Sequence, residues 1–212
     1  MKHLLKFIFF IIAFISLNGC SNDNSNNSNP NSSDCATTDP CRGASGCTYW
    51  YPTELSDEWN WIVPTLPGQT TNFRVRIVGN PVLNGNTYIE SRFVGGTLLT
   101  FFNDFFWIYG FRNSNGDLYE YDPDTNLSSL YLPNNPVLNQ SWTRQGEEQW
   151  KVVSLNFSLT TPTCSYNNLL KVKVTDTDGT YNYVCFGKGL GIVAQLDESS
   201  SITMYLGGVT IN

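Results

Sequence analysis

Three glutamates, Glu90, Glu120 and Glu148, stand in strand-like runs, and paired carboxyls are the chemistry of glycoside hydrolysis. That reaction needs two of them about 5–10 Å apart across a cleft, a distance that spacing along the chain does not set. Each alternates with apolar neighbours, the pattern of a solvent-facing side chain on a half-buried strand. Nucleophilic triads are excluded more firmly. The single histidine, His3, lies in the basic start of the chain, ahead of an apolar run with the layout of a secretory signal. No histidine is then left to activate a serine or cysteine, or to ligate zinc in a zincin motif. Gly187-Lys188-Gly189-Leu190-Gly191 has closely spaced glycines but no Ser or Thr after the lysine and no helix signal beyond, so it reads as a turn linking strands rather than a phosphate cradle. Asp122-Pro123-Asp124-Thr125-Asn126 offers oxygen ligands for a hard cation, with Asp122 and Asp124 the first candidates, although Asp and Asn are also the ordinary residues of turns. No motif asks for a cofactor.

Thr97 to Phe111 is apolar on both alternate faces and interrupted only by Asn103-Asp104. It reads as a hairpin buried on both sides, or as an aromatic wall that meets a ligand through Phe101, Phe105, Trp107 and Tyr109.

The elements that must position these residues are strands. Phe73, Val75 and Ile77 alternate with Asn72, Arg74 and Arg76, and Leu170, Val172 and Val174 with Lys171 and Lys173. Asn84-Gly85, Asn115-Gly116 and Asp178-Gly179 punctuate hairpins, because their residues tolerate positive φ. The expected fold is all-β: one antiparallel β-sandwich or open half-barrel of roughly eleven short strands. Residues 49–212 form this domain, with Phe73, Val75, Ile77, Val172, Val174 and Ile192 pointing inward, and residues 35–48 form a cysteine-containing loop segment. Cys164 and Cys185 fall on neighbouring strand-like runs joined by the Asp178-Gly179 turn and are expected to be bonded. Of Cys35, Cys41 and Cys47, two should pair, leaving Cys35 beside the flexible segment that precedes it. Their six-residue spacings do not match paired zinc ligands.

Leu17-Asn18-Gly19-Cys20 closes the apolar run and resembles the lipobox of bacterial lipoproteins, in which the cysteine is lipidated and becomes the first mature residue. Residues 1–19 are then a signal peptide, and residues 20–34 a lipidated Cys20 followed by an Asn/Ser tether without apolar side chains, expected to be disordered. The reach of that tether is roughly 20 Å. Ser21 resembles the residue of lipoproteins sorted to the outer membrane. Removal of the leader takes away Lys2 and Lys6, so the net charge moves from −6 to −8. Such an acidic chain offers no clustered positive face for nucleic acid and no polybasic segment for anionic lipid, so the lipid itself is expected to hold it at the membrane.

Trp50-Tyr51-Pro52 to Trp61, Leu118-Tyr119-Glu120-Tyr121-Asp122, Leu132-Pro133 to Trp142, and Phe186-Gly187-Lys188-Gly189-Leu190-Gly191-Ile192-Val193 follow in an order that resembles a group of uncharacterised β-rich bacterial lipoproteins and exported domains. The resemblance implies fold and address, not an activity. The expected function is that of a non-catalytic binding module on the envelope, engaging a glycan, a peptide or an envelope protein. A carrier of apolar ligands is the alternative, and a carboxylate-dependent glycan hydrolase a further one.

Overall fold

The computed structural model describes residues 36–41, 47, 49–96, 108–114, 116–122, 125–144 and 148–212, with backbone alone at 108–114. All of them belong to one unit, Asn31–Asn212. Cys20, Cys35, Phe101, Phe105, Trp107 and Asp124 lie outside the described residues, and Tyr109 is described only as backbone.

Fourteen strands account for the regular structure of these residues: β1 (Glu58–Pro64), β2 (Thr70–Gly79), β3 (Val82–Leu83), β4 (Asn86–Thr87), β5 (Ile89–Gly96), β6 (Ile108–Ser114), β7 (Asp117–Asp122), β8 (Leu127–Leu132), β9 (Ser141–Arg144), β10 (Glu148–Thr160), β11 (Ser165–Thr175), β12 (Tyr181–Gly187), β13 (Gly191–Leu196) and β14 (Ile202–Thr210). Twelve of them form one antiparallel sheet in the order β8-β7-β6-β5-β2-β1-β14-β13-β12-β11-β10-β9, and β3 and β4 make a separate small hairpin. That hairpin turns on Asn84 at φ 51° and Gly85 at φ 77°, the paired left-handed conformations of a two-residue turn. The longer connection from β11 to β12 has a single left-handed residue, Gly179 at φ 86°.

Nearest neighbours along the chain pair nearly everywhere, and one long-range pairing, β1 with β14, joins the two halves. The two edge strands, β8 and β9, are consecutive in sequence. The sheet therefore rolls until its edges face each other, without a ladder between them. An open half-barrel results, one of the two all-β forms that the strand pattern allows.

Inside the roll, Trp59, Trp61, Phe73, Val75, Ile77, Val172, Phe186 and Leu206 are buried in a continuous core. Trp59 donates its indole N–H to the carbonyl of Leu190 at 2.7 Å, which satisfies the polar edge of a fully buried ring. Gly191, at φ 77°, is the position where the glycine-rich turn needs glycine: an added Cβ would meet the Tyr51 ring at 3.1 Å. The turn holds the neighbouring segment by two backbone bonds, Gly189 N to Tyr49 O and Gly191 N to Trp50 O. All the residues expected to face inward meet the core, Ile192 less completely than the rest. The β12–β13 register shifts between Cys185 and Phe186, which leaves Ile192 half-buried and makes Val193 the buried residue.

The cysteine pairing differs from expectation. Cys164 is bonded to Cys41, and Cys185 is a buried free thiol. The Asp178-Gly179 turn does fold β12 back on β11, but its register sets Cys185 opposite Lys171. Cys164 precedes β11, seven residues further along, which at the rise of an extended strand is about 23 Å away. No bridge spans that gap. Cys47 is also disulfide-bonded, with a partner other than these three. The Cys41–Cys164 bond and a bridge from Thr37 to Ile211 bind the segment ahead of β1 to the sheet.

Asp57, just ahead of β1, is fully buried and accepts the amides of Glu54 and Asn212, each at 2.9 Å. Loss of hydration outweighs these bonds and pushes its carboxyl up to about 6. A carboxyl with a raised folded-state pKa favours the fold most when protonated, below its unfolded value of 3.8, and this contribution disappears as pH rises through about 6. Relative to Asp57→Asn, the unfolding free energy of the native chain should therefore fall by up to about 3 kcal/mol between pH 4 and pH 6. Denaturant titrations of both proteins across that range check it, and parallel curves would contradict it.

Candidate functional site

The candidate carboxylates meet at the seam where β8 and β9 face each other. Leu118 and Glu120 lie two apart on β7 and share a face, so the strand that buries one buries the other. Both oxygens of Glu120 accept from Arg144 of β9, Nε at 2.5 Å and Nη2 at 2.8 Å. The third guanidinium nitrogen, Nη1, donates to Glu148 at 3.1 Å, and the indole of Trp150 donates to the same Glu148 oxygen at 2.9 Å. The Arg144 guanidinium lies over the rings of Tyr131 and Trp150, 5.2 and 5.4 Å from their centroids. Burial by itself would push the guanidinium pKa down, but the bond to Glu120 and the surrounding charges outweigh it and raise it overall.

One cation thus joins four strands. Glu120 comes from β7, Tyr131 from β8, Arg144 from β9, and Glu148 and Trp150 from β10. It stands where two sheet edges have no backbone bonds to share. Behind it, Tyr131 packs against Trp150 at 5.3 Å and meets Phe186 edge-on at 6.3 Å, so the seam is continuous with the core.

This corrects the reading of Glu120 as a solvent-face residue, while Glu148 stays partly open to solvent. The Glu120 side chain is 8% exposed and that of Glu148 36%. Their surroundings also differ from those of a hydrolytic pair. A guanidinium occupies the space between the two carboxylates; its N–H groups take both Glu120 oxygens and, with an indole, one oxygen of Glu148. Glu90 is elsewhere, on β5, paired with Arg92 at 2.6 Å on the outer surface. Arg144 was not among the sequence candidates. Its signal is the buried period-two position of Glu120, which demands a partner that only the rolled sheet supplies.

Asp122 ends β7, where its carboxylate accepts the Thr125 hydroxyl at 2.7 Å, and Asn126, at φ 57°, accepts the Tyr121 hydroxyl at 2.6 Å. These are the bonds of a turn. Beside the seam, a shallow crevice is lined by Tyr49, Trp50, Tyr51, Gly116, Leu118, Leu132, Pro133 and Asn134, and it encloses no room for a water molecule.

No protein-family model matches the chain, and no curated protein matches it by sequence. Among solved structures it is similar to a Bacteroides fragilis NCTC 9343 protein described as an exported protein with a YmcC-like fold, at 12% identity and a TM-score of 0.45, over 77% of this chain and 100% of that one. It is also similar to a protein of Parabacteroides distasonis ATCC 8503 described as a lipoprotein, at 14% identity and a TM-score of 0.43, over 78% of this chain and 100% of that one.

Proposed function

We propose that this chain is a lipid-anchored protein of the bacterial envelope, sorted to the outer membrane, whose β-domain binds a partner without chemical turnover. The observation that carries the non-catalytic reading is the seam: both of its carboxylates are committed to Arg144 and Trp150. The leader and Leu17-Asn18-Gly19-Cys20 support the anchor, and the Cys41–Cys164 bond supports an oxidising compartment. The interior is filled by aromatic and branched side chains, which favours a module that binds on its outside over a carrier of apolar ligands.

Substituting Cys20→Ala in the full chain should move it from the detergent phase to the aqueous phase on partitioning of cell envelopes. A protein that remains in the detergent phase would refute the anchor. Incubating the purified chain with envelope polysaccharides should leave their lengths unchanged; shortening would refute the non-catalytic reading.

A further inference from the structure

We propose that the outward face of β10, β11 and β12 is a binding surface for an acidic polysaccharide, held by Lys151, Lys171 and Lys173. Within the proposed binding module, this names the ligand class and the place.

The register sets Lys151 directly opposite Lys173, and Lys171 lies two residues from Lys173 on the same face. Neighbouring strands are about 4.8 Å apart and alternate residues about 7 Å apart, both shorter than the screening length of physiological salt, about 8 Å. Like charges directly opposite on a sheet repel and weaken it. Elsewhere such contacts carry counter-ions, as where Arg76 stands opposite Arg92. Arg74 and Arg76 share Glu58, Arg92 has Glu90, and Arg144 has Glu120 and Glu148. Among the described residues no carboxylate pairs with Lys151, Lys171 or Lys173. Glu198, at the end of the patch, accepts the Tyr181 backbone amide instead. Three of the four lysines outside the leader are thus gathered, without counter-ions, on an otherwise acidic molecule.

Aromatic rings hold two of these cations in place. Lys171 Nζ stands 3.9 Å from the Tyr183 ring centroid and 4.4 Å from that of Phe157, and Lys173 Nζ stands 3.7 Å from that of Tyr181. The two tyrosines meet edge to face at 5.6 Å. The ammonium groups therefore lie low against the sheet with ring edges between them, a flat surface of alternating positive and apolar character. Each ammonium keeps N–H donors for a carboxylate or sulfate.

The geometry selects among anionic partners. β11 and β12 are hydrogen-bonded on both sides and β9 pairs with β10 at Lys151, so the lysines lie away from any open strand edge and recognition is by side chains. Three lysines fall short of the four to eight basic residues that hold a segment to anionic lipid. On an acidic body they also fall short of the basic footprint of nucleic-acid binding. A chain with anionic groups spaced along it and apolar ring faces between them fits both features.

The test uses the detergent-solubilised full chain in native affinity gels containing polygalacturonate, dextran sulfate or neutral dextran. Polygalacturonate or dextran sulfate should retard the protein, salt should weaken the retardation, and neutral dextran should have no effect. Lys151→Gln/Lys171→Gln/Lys173→Gln should lose at least tenfold in affinity. Lys188→Gln, at a lysine outside the patch that lies over Trp50, should bind as the native chain does; a loss equal to that of the triple variant would overturn the proposal. So would absence of retardation by both acidic polymers, equal retardation of the triple variant, or stronger binding to phosphatidylglycerol vesicles or single-stranded DNA. Retardation that persists in the triple variant would leave the binding-module reading standing. Shortening of a polymer that the wild type retains would refute that reading and leave the patch intact.

Discussion

Replacing Arg144 by methionine should lower the unfolding free energy by about 3–5 kcal/mol, the cost of leaving a buried charge without its partner. Glu120 is the charge left behind. It is buried on β7 and has both oxygens on Arg144, so the variant forces it either to stay ionised without a counter-ion or to take up a proton. Arg144→Met also removes the cation that lies over Tyr131 and Trp150. The double variant Glu120→Gln/Arg144→Met should recover a large part of the loss, because replacing both members of a buried pair spares the unpaired charge. Urea titrations of the native chain, both single variants and the double variant measure the coupling directly. Strict additivity would show that the seam is not held by this pair. The slope of the native transition should stay cooperative, since the seam joins the first and last strands of one sheet.

The second large effect is expected at the disulfide. Cys41 and Cys164 are 123 residues apart, so their bond removes a great deal of freedom from the unfolded chain. The paired variant Cys41→Ser/Cys164→Ser should lose about 4 kcal/mol and remain folded, because the core of Trp59, Phe73, Val172 and Phe186 does not depend on it. Non-reducing peptide mapping should recover the Cys41–Cys164 pair. Cys185 should resist iodoacetamide until the chain unfolds: it is fully buried, and burial pushes its thiol up to about 12, so the reactive thiolate is scarce. Labelling of Cys185 in the native chain would contradict its burial.

What the sequence determined by itself is local. Alternation over Phe73, Val75 and Ile77, and over Val172 and Val174, reports the buried face because a strand has a side-chain period of two. Asn84-Gly85 and Asp178-Gly179 mark hairpins because few other residues adopt positive φ without strain. The leader and the Asn/Ser segment are compositional, and composition needs no fold to be read.

Tertiary structure decided what depends on register and on closure. Cys164 leads into β11 and Cys185 lies on β12 beside it, yet a ladder that pairs Lys171 with Cys185 carries Cys164 out of reach, and only the ladder fixes that register. Ile192 packs against the core but stays half-buried beside a register shift that only the ladder reveals. Glu120 announced its burial by sharing a face with Leu118, but its partner lies 24 residues away on a strand at the opposite edge of the sheet. Twelve strands pairing in antiparallel order roll until those edges meet, and the meeting point is a property of accumulated twist rather than of any local run. The same rolled sheet sets Lys151 against Lys173, two positions that sequence alone places 22 residues apart and that the β10–β11 ladder makes neighbours.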